Sequence, residues 1–139
     1  MGRVVNPNST GRERNHSMRT AAELLRHLSQ KTDLDDEVKD MAAHLVFCLR
    51  DVEDGIEQSA EAWEKRDYWV KAEKLRQKWA WAGNGAARLE GVIRRGLWET
   101  LPTVMVSLVD HFSDIKITKL TRDASEWEGS HQRLLDEAH

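Results

Sequence analysis

Three polar side chains fall close to the predicted helix core, where they could do chemistry. Arg76 and Glu90 lie beside an inner-face tryptophan of one predicted helix, and His111 borders the inner face of the next. An imidazole buried near a carboxylate has a shifted pKa, so the three together would form an acid–base pair or an anion pocket. The alternative, which we favour, is an ion network that fixes the register of neighbouring helices. We name these residues the polar core cluster and assign no catalytic residue.

Metal-binding and catalytic motifs are missing from the sequence. Glu23 with His27, and Asp40 with His44, have i, i+4 spacing, but we expect both pairs to be solvated. A di-iron bundle needs paired Glu-x-x-His motifs, and the chain has none. It also lacks a glycine-rich phosphate loop, a nucleophile elbow and a Cys-His arrangement. We therefore expect no metal, no cofactor and no enzymatic activity.

Tryptophan is unusually frequent, with six copies against one tyrosine and two phenylalanines. Four of the tryptophans lie within residues 63–82, among six lysines and arginines. Tryptophan and arginine are enriched in protein-interface hot spots, and aromatic side chains on a basic surface also bind single-stranded nucleic acid. The structural alternative is that Trp63, Trp69 and Trp79 simply fill the core. We favour that alternative for these three.

Trp81 is different, because helical spacing puts it about 180° from the core-facing Ala72. Val70 and Val92 lie eleven residues to either side on the same line, and basic side chains surround it. We predict an interaction surface that consists of Val70, Lys74, Lys78, Trp81, Arg88 and Val92. Such a surface needs a cover: the C-terminal segment, a second subunit or an anionic ligand.

Composition and charge indicate one globular domain in a chain of 139 residues with a net charge of −3. Cys48 is the only cysteine and lies in an apolar run, which excludes a disulfide framework and fits a reducing compartment. The N-terminus has no apolar signal region, and no run approaches the roughly 20 apolar residues that span a bilayer. We therefore expect a cytoplasmic protein with no membrane partner.

The elements that position these residues are helices. Thr10 and Glu13 fit a capping box that begins helix 1, which follows a mobile arm of residues 1–9. Thr32 or Asp33 would cap helix 2, which runs to about residue 65.

Helix 3 would begin after Asp67 as its N-cap and end at Gly96. Helix 4 would begin near Trp98 and present Leu101, Met105, Leu108, Phe112 and Ile115 on its inner face.

The short connection between helices 2 and 3 predicts an antiparallel hairpin. We therefore predict an all-α antiparallel bundle of about four helices, centred on that hairpin. Residues 10–120 would form the bundle, and residues 121–139 a C-terminal segment compatible with a short helix. Net charges of about +4, −8, +5 and −4 on residues 1–31, 32–63, 64–96 and 97–139 favour sequential antiparallel neighbours.

These features favour a non-catalytic helical protein-interaction module. We expect it to self-associate, as a homodimer, through the long hairpin, or to bind another protein. The alternative is a nucleic-acid-associated protein that uses the basic, Trp-bearing face of helix 3 together with an Arg-rich N-terminal segment. That segment contains Arg3, Arg12, Arg14 and Arg19. The net negative charge argues against a dedicated nucleic-acid binder.

Overall fold

The computed structural model describes residues 7–137, which form an all-α bundle without a strand among them. Its five helices are α1 (Pro7–Ser29), α2 (Asp36–Glu64), α3 (Trp69–Arg95), α4 (Leu101–Val109) and α5 (Ser130–Asp136). Single 3-10 turns occur at Trp98–Thr100, Asp110–Phe112 and Ala124–Glu126. The predicted fold class is confirmed.

The hairpin of α2 and α3 is the centre of the bundle, because these two helices pack together more extensively than any other pair. The turn between them closes on the carbonyl of Trp63, which accepts hydrogen bonds from the amides of Arg66 and Tyr68. Asp67 lies inside this turn with a φ of 64°, so the prediction that it caps α3 is wrong. Gly96 ends α3 in the left-handed conformation, as predicted.

Two other helix starts differ from the sequence-based expectation. α1 begins at Pro7, so the predicted capping threonine, Thr10, lies within the helix rather than before it. Proline suits a first helical position, since it has no amide hydrogen to leave unpaired. Residues 1–6 of the expected arm lie outside the described residues. α2 is capped by Asp35, whose Oδ1 accepts from the amide of Val38 at 2.8 Å.

The core lies where the inner faces of the first four helices meet. Fully buried side chains include Leu24 of α1, Leu45 and Leu49 of α2, and Leu89 of α3. The predicted inner face of α4 is buried as well, through Leu101, Met105, Leu108 and the following Phe112. Cys48 is buried, as predicted.

The C-terminal segment ends in α5, which packs against α2. Asp40 of α2 caps the N-terminus of α5. Its Oδ2 accepts a hydrogen bond from the amide of Gly129 at 3.2 Å, and its Oδ1 accepts one from the amide of His131 at 3.0 Å. A carboxylate at a helix N-terminus pairs with amides that have no partner within the helix. Trp127 and Leu134 of the segment are buried against the core. The C-terminal segment therefore contains a short helix, as its sequence allows.

Candidate functional site

The polar core cluster does not assemble, because its three members belong to separate groups. Arg76 joins the two arms of the hairpin through Glu57, at 2.8 and 3.0 Å, and Glu64, at 2.8 and 2.9 Å. Hydrogen bonds from this guanidinium lower the pKa of both carboxyls. Bidentate pairing of this kind fixes geometry, so Arg76 serves to align α2 with α3.

Glu90 belongs to a second ion network, which joins α2, α3 and the chain after α5. Its carboxylate accepts from Arg50 at 2.6 Å and from Arg94 at 2.7 Å. Arg50 also donates to Glu137 at 2.8 Å, and Arg94 to the carbonyl of Leu134 at 2.9 Å. Burial raises the pKa of Glu90, but hydrogen bonds from the two arginines more than offset it, so the net shift is downward. The network aligns α2, α3 and the chain after α5, and it contains neither Arg76 nor His111, the other two residues of the predicted cluster.

His111 covers Trp81. The two rings are stacked, with centroids 4.2 Å apart and planes 3° apart, and Phe112 meets the indole edge-on at 5.4 Å. Val92, at the far end of the predicted interaction surface, is buried. The turn after α4 therefore supplies an intramolecular cover for Trp81.

The other members of the predicted interaction surface stay accessible. Arg88 donates to Ser107 of α4 at 3.2 Å but remains exposed. Lys74, Lys78 and Val70 are exposed, and none of the described residues forms an ion pair with either lysine. The predicted interaction surface therefore has two parts. Trp81, Arg88 and Val92 lie beside α4 and the turn after it, whereas Val70, Lys74 and Lys78 lie towards the hairpin turn and are exposed.

The tryptophans expected in the core are not all inside. Trp69 is 60% exposed, so the prediction for it is wrong. It lies in the first turn of α3, where Tyr68 and Val70 are exposed too. Trp63 and Trp79 are partly buried, each with a cation over its ring.

Glu23 also differs from its prediction, because it is buried rather than solvated. Its carboxylate accepts hydrogen bonds from the amide and the hydroxyl of Thr121, and the Arg122 guanidinium lies 3.5 Å away. Burial alone would raise the pKa of Glu23, but these bonds and charges outweigh it and lower the pKa. The residue holds the C-terminal segment against α1.

An open apolar groove of about 740 Å³ runs beside α4, between that helix, the end of α1 and the connection to α2. Its floor consists of core side chains, among them Leu25, Leu28, Val38, Leu101, Met105 and Phe112. Leu34, Val106 and Val109 line it as exposed apolar side chains. Arg26, Lys31, Asp33 and Asp110 also line it and contribute two charges of each sign. Grooves of this size and lining are usual binding sites.

The remaining sequence hypotheses concern metals and membranes. Among residues 7–137, no group of three or more His, Cys, Asp or Glu side chains is placed to hold a metal ion. Asp40 instead caps α5, and burial lowers the pKa of His44. None of the helices described has the length and apolar content to cross a bilayer.

Comparison with known proteins adds no family to this description. No protein-family model, curated protein or solved structure matches the chain.

Proposed function

We propose that the protein is a non-catalytic interaction module that self-associates through the outer face of α4 and the groove beside it. The observation that carries this proposal is the composition of α4. Seven of its nine residues, LPTVMVSLV, are apolar, although only one side of the helix packs on the core. Its two polar residues, Thr103 and Ser107, are both exposed, but Pro102, Val106 and Val109 form an exposed apolar strip that lines the groove. On the outer side, Val106 is 72% exposed.

A second copy of the chain is the partner that fits this face best. The groove and the side chains that could fill it, Val106 and Val109, lie on the same face. A two-fold axis brings one patch against its own copy, so each groove would receive the valines of the other subunit. This interface lies on α4 rather than on the α3 surface predicted from the sequence.

The charges around the groove support the same arrangement. No described residue forms an ion pair or a hydrogen bond with the side chain of Arg26 or of Asp110. A face that carries both signs can pair with its own copy, whereas a face of one sign would repel itself. We therefore expect Arg26 of one subunit to lie near Asp110 of the other.

The non-catalytic part of the proposal rests on the two ion networks. Arg76 and Glu90, which helical spacing places near the core, both form ion pairs. Arg76 pairs with carboxylates, and Glu90 pairs with the guanidinium groups of Arg50 and Arg94. Charges engaged in this way align helices, so we infer a structural and not a catalytic role for Arg76 and Glu90.

Sedimentation velocity across a concentration series up to about 100 µM tests the proposal, because self-association follows mass action. Wild type should form dimers, and Val106→Glu should weaken dimerisation at least about tenfold by placing a charge in the apolar contact. Val70→Glu is a matched control: Val70 is 69% exposed but lies at the hairpin turn. A monomeric wild type, or a dimer broken by Val70→Glu and not by Val106→Glu, would overturn the proposal.

A charge exchange tests the orientation of the two copies. Arg26→Glu alone and Asp110→Arg alone should each weaken dimerisation, and the double variant should recover most of the loss, since it restores opposite charges in exchanged positions. Additive losses in the double variant would contradict the two-fold arrangement.

A further inference from the structure

The open end of α3 carries a second surface, which is separate from the α4 groove. Tyr68, Trp69 and Val70 are all more than half exposed, and we call these three residues the hairpin tip. A shallow depression of about 480 Å³ lies there, lined by the tip together with Asp67, Lys71 and Lys74. Exposed aromatic rings beside cations are unusual on a surface that binds nothing.

The cations beside the tip form a row. At 100° per residue, Lys71, Lys74 and Lys78 fall within about 60° of arc on α3, and the row is about 10 Å long. All three side chains are exposed, and Lys65 and Arg66 add two more exposed cations in the turn. We call Lys71, Lys74 and Lys78 the lysine row.

The acidic side chains nearby do not neutralise this row. Glu57 and Glu64 are engaged by Arg76, and Glu73 lies 3.9 Å from the same guanidinium. Glu73 is also about 130° from the middle of the row around the helix. Arg76 does not balance all three carboxylates, and Asp67 adds one more, but residues 64–78 contain six basic side chains against three acidic ones. The surface is therefore locally basic, although the whole chain has a net charge of −3.

We infer that the hairpin tip and the lysine row bind single-stranded nucleic acid. Phosphates would follow the lysine row, and one or two bases would stack on Tyr68 and Trp69, which is how non-specific single-strand binders combine charge with aromatic platforms. An anionic membrane is the competing ligand for exposed aromatic and basic residues. It fits less well, because the row continues along α3 to Lys78, beyond the cations that flank the tip, and a membrane surface at the depth of the tip would not reach its far end.

Fluorescence anisotropy with labelled oligouridine and oligothymidine of about 12 nucleotides tests the inference, since single-strand sites span roughly 4 to 16 nucleotides. With three phosphate contacts, the affinity should fall roughly twentyfold between about 50 and 200 mM salt. Binding of either oligonucleotide with this salt dependence is the expected result.

Two pairs of variants locate the site. Lys74→Glu with Lys78→Glu should weaken binding at least about tenfold, whereas Lys116→Glu with Lys119→Glu, an equal charge change at exposed positions elsewhere, should leave it within about twofold. Trp69→Ala should lower the affinity for the oligonucleotide about tenfold, and Trp69→Phe should retain most of the affinity because a stacking ring remains.

Three results would overturn the inference. They are no binding of either oligonucleotide at about 50 mM salt, equal losses in the two lysine pairs, and flotation with phosphatidylserine vesicles without oligonucleotide binding. Failure here is distinguishable from failure of the self-association proposal, since Val106→Glu leaves the tip and the row intact.

Discussion

Replacing Glu23 by glutamine should destabilise the folded protein by about 3 kcal/mol, because the buried carboxylate has charged and hydrogen-bonded partners that an amide cannot satisfy. Both hydrogen bonds from Thr121 would change from a charged to a neutral acceptor, at a cost of about 1 kcal/mol each. The Arg122 guanidinium, 3.5 Å away, would lose its counter-charge and add about 1 kcal/mol more.

Thermal unfolding followed by circular dichroism measures this change. A loss of about 3 kcal/mol should lower the Tm by roughly 10 °C in a chain of this length. Glu73→Gln is the control, since Glu73 is exposed and should change stability by less than about 0.5 kcal/mol. Trp127, buried under the C-terminal segment, should emit at longer wavelength in Glu23→Gln if the segment loosens.

The pH dependence follows from the lowered pKa of Glu23. The unfolded chain binds the proton at its ordinary pKa of 4.5, and the folded chain binds it only at lower pH. The stabilisation from Glu23 is therefore complete above pH 4.5 and is lost as the pH falls through the folded pKa. The difference in Tm between wild type and Glu23→Gln should therefore shrink as the pH falls. Equal Tm values for Glu23→Gln and Glu73→Gln at neutral pH would refute the argument.

Two further predictions concern the Glu90 ion network and the buried thiol. Glu90→Gln should lower the free energy of unfolding in urea by about 2 kcal/mol, because Arg50 and Arg94 lose the carboxylate they share. A change as small as that of Glu73→Gln would show that the network contributes little to stability. Burial raises the pKa of the Cys48 thiol to about 12. A thiol reagent at pH 8 should therefore label Cys48 only as fast as the chain unfolds, and the labelled fraction in samples quenched at intervals measures that rate. Labelling at the rate of a free thiol without denaturant would show that the interior opens without unfolding.

Helical periodicity is sufficient to predict the centre of the fold. Residues three and four apart share a face, so the spacing of apolar residues alone marks the buried sides of α2, α3 and α4. Gly96 is predictable as the end of α3, because glycine adopts the left-handed conformation of a helix stop at little cost.

Periodicity is insufficient where burial depends on distant segments. Glu23 lies opposite the apolar stripe of α1, which predicts a solvated side chain, but residues about 98 positions later cover it. Trp69 lies at a helix end, where a residue on any face can remain exposed. A helical wheel gives the direction of a side chain and not what lies beyond it.

The path of the C-terminal segment explains why α4 has an open apolar side. Three charged anchors hold that segment against α1 and α2: Glu23 binds Thr121, Asp40 binds the start of α5, and Arg50 binds Glu137. The segment is therefore not available to cover the outer face of α4. The turn after α4 covers Trp81 instead, and the valines on the outer side of α4 remain exposed. The same anchors that complete the bundle thus leave the α4 groove as the face where a second copy would complete the burial of apolar surface.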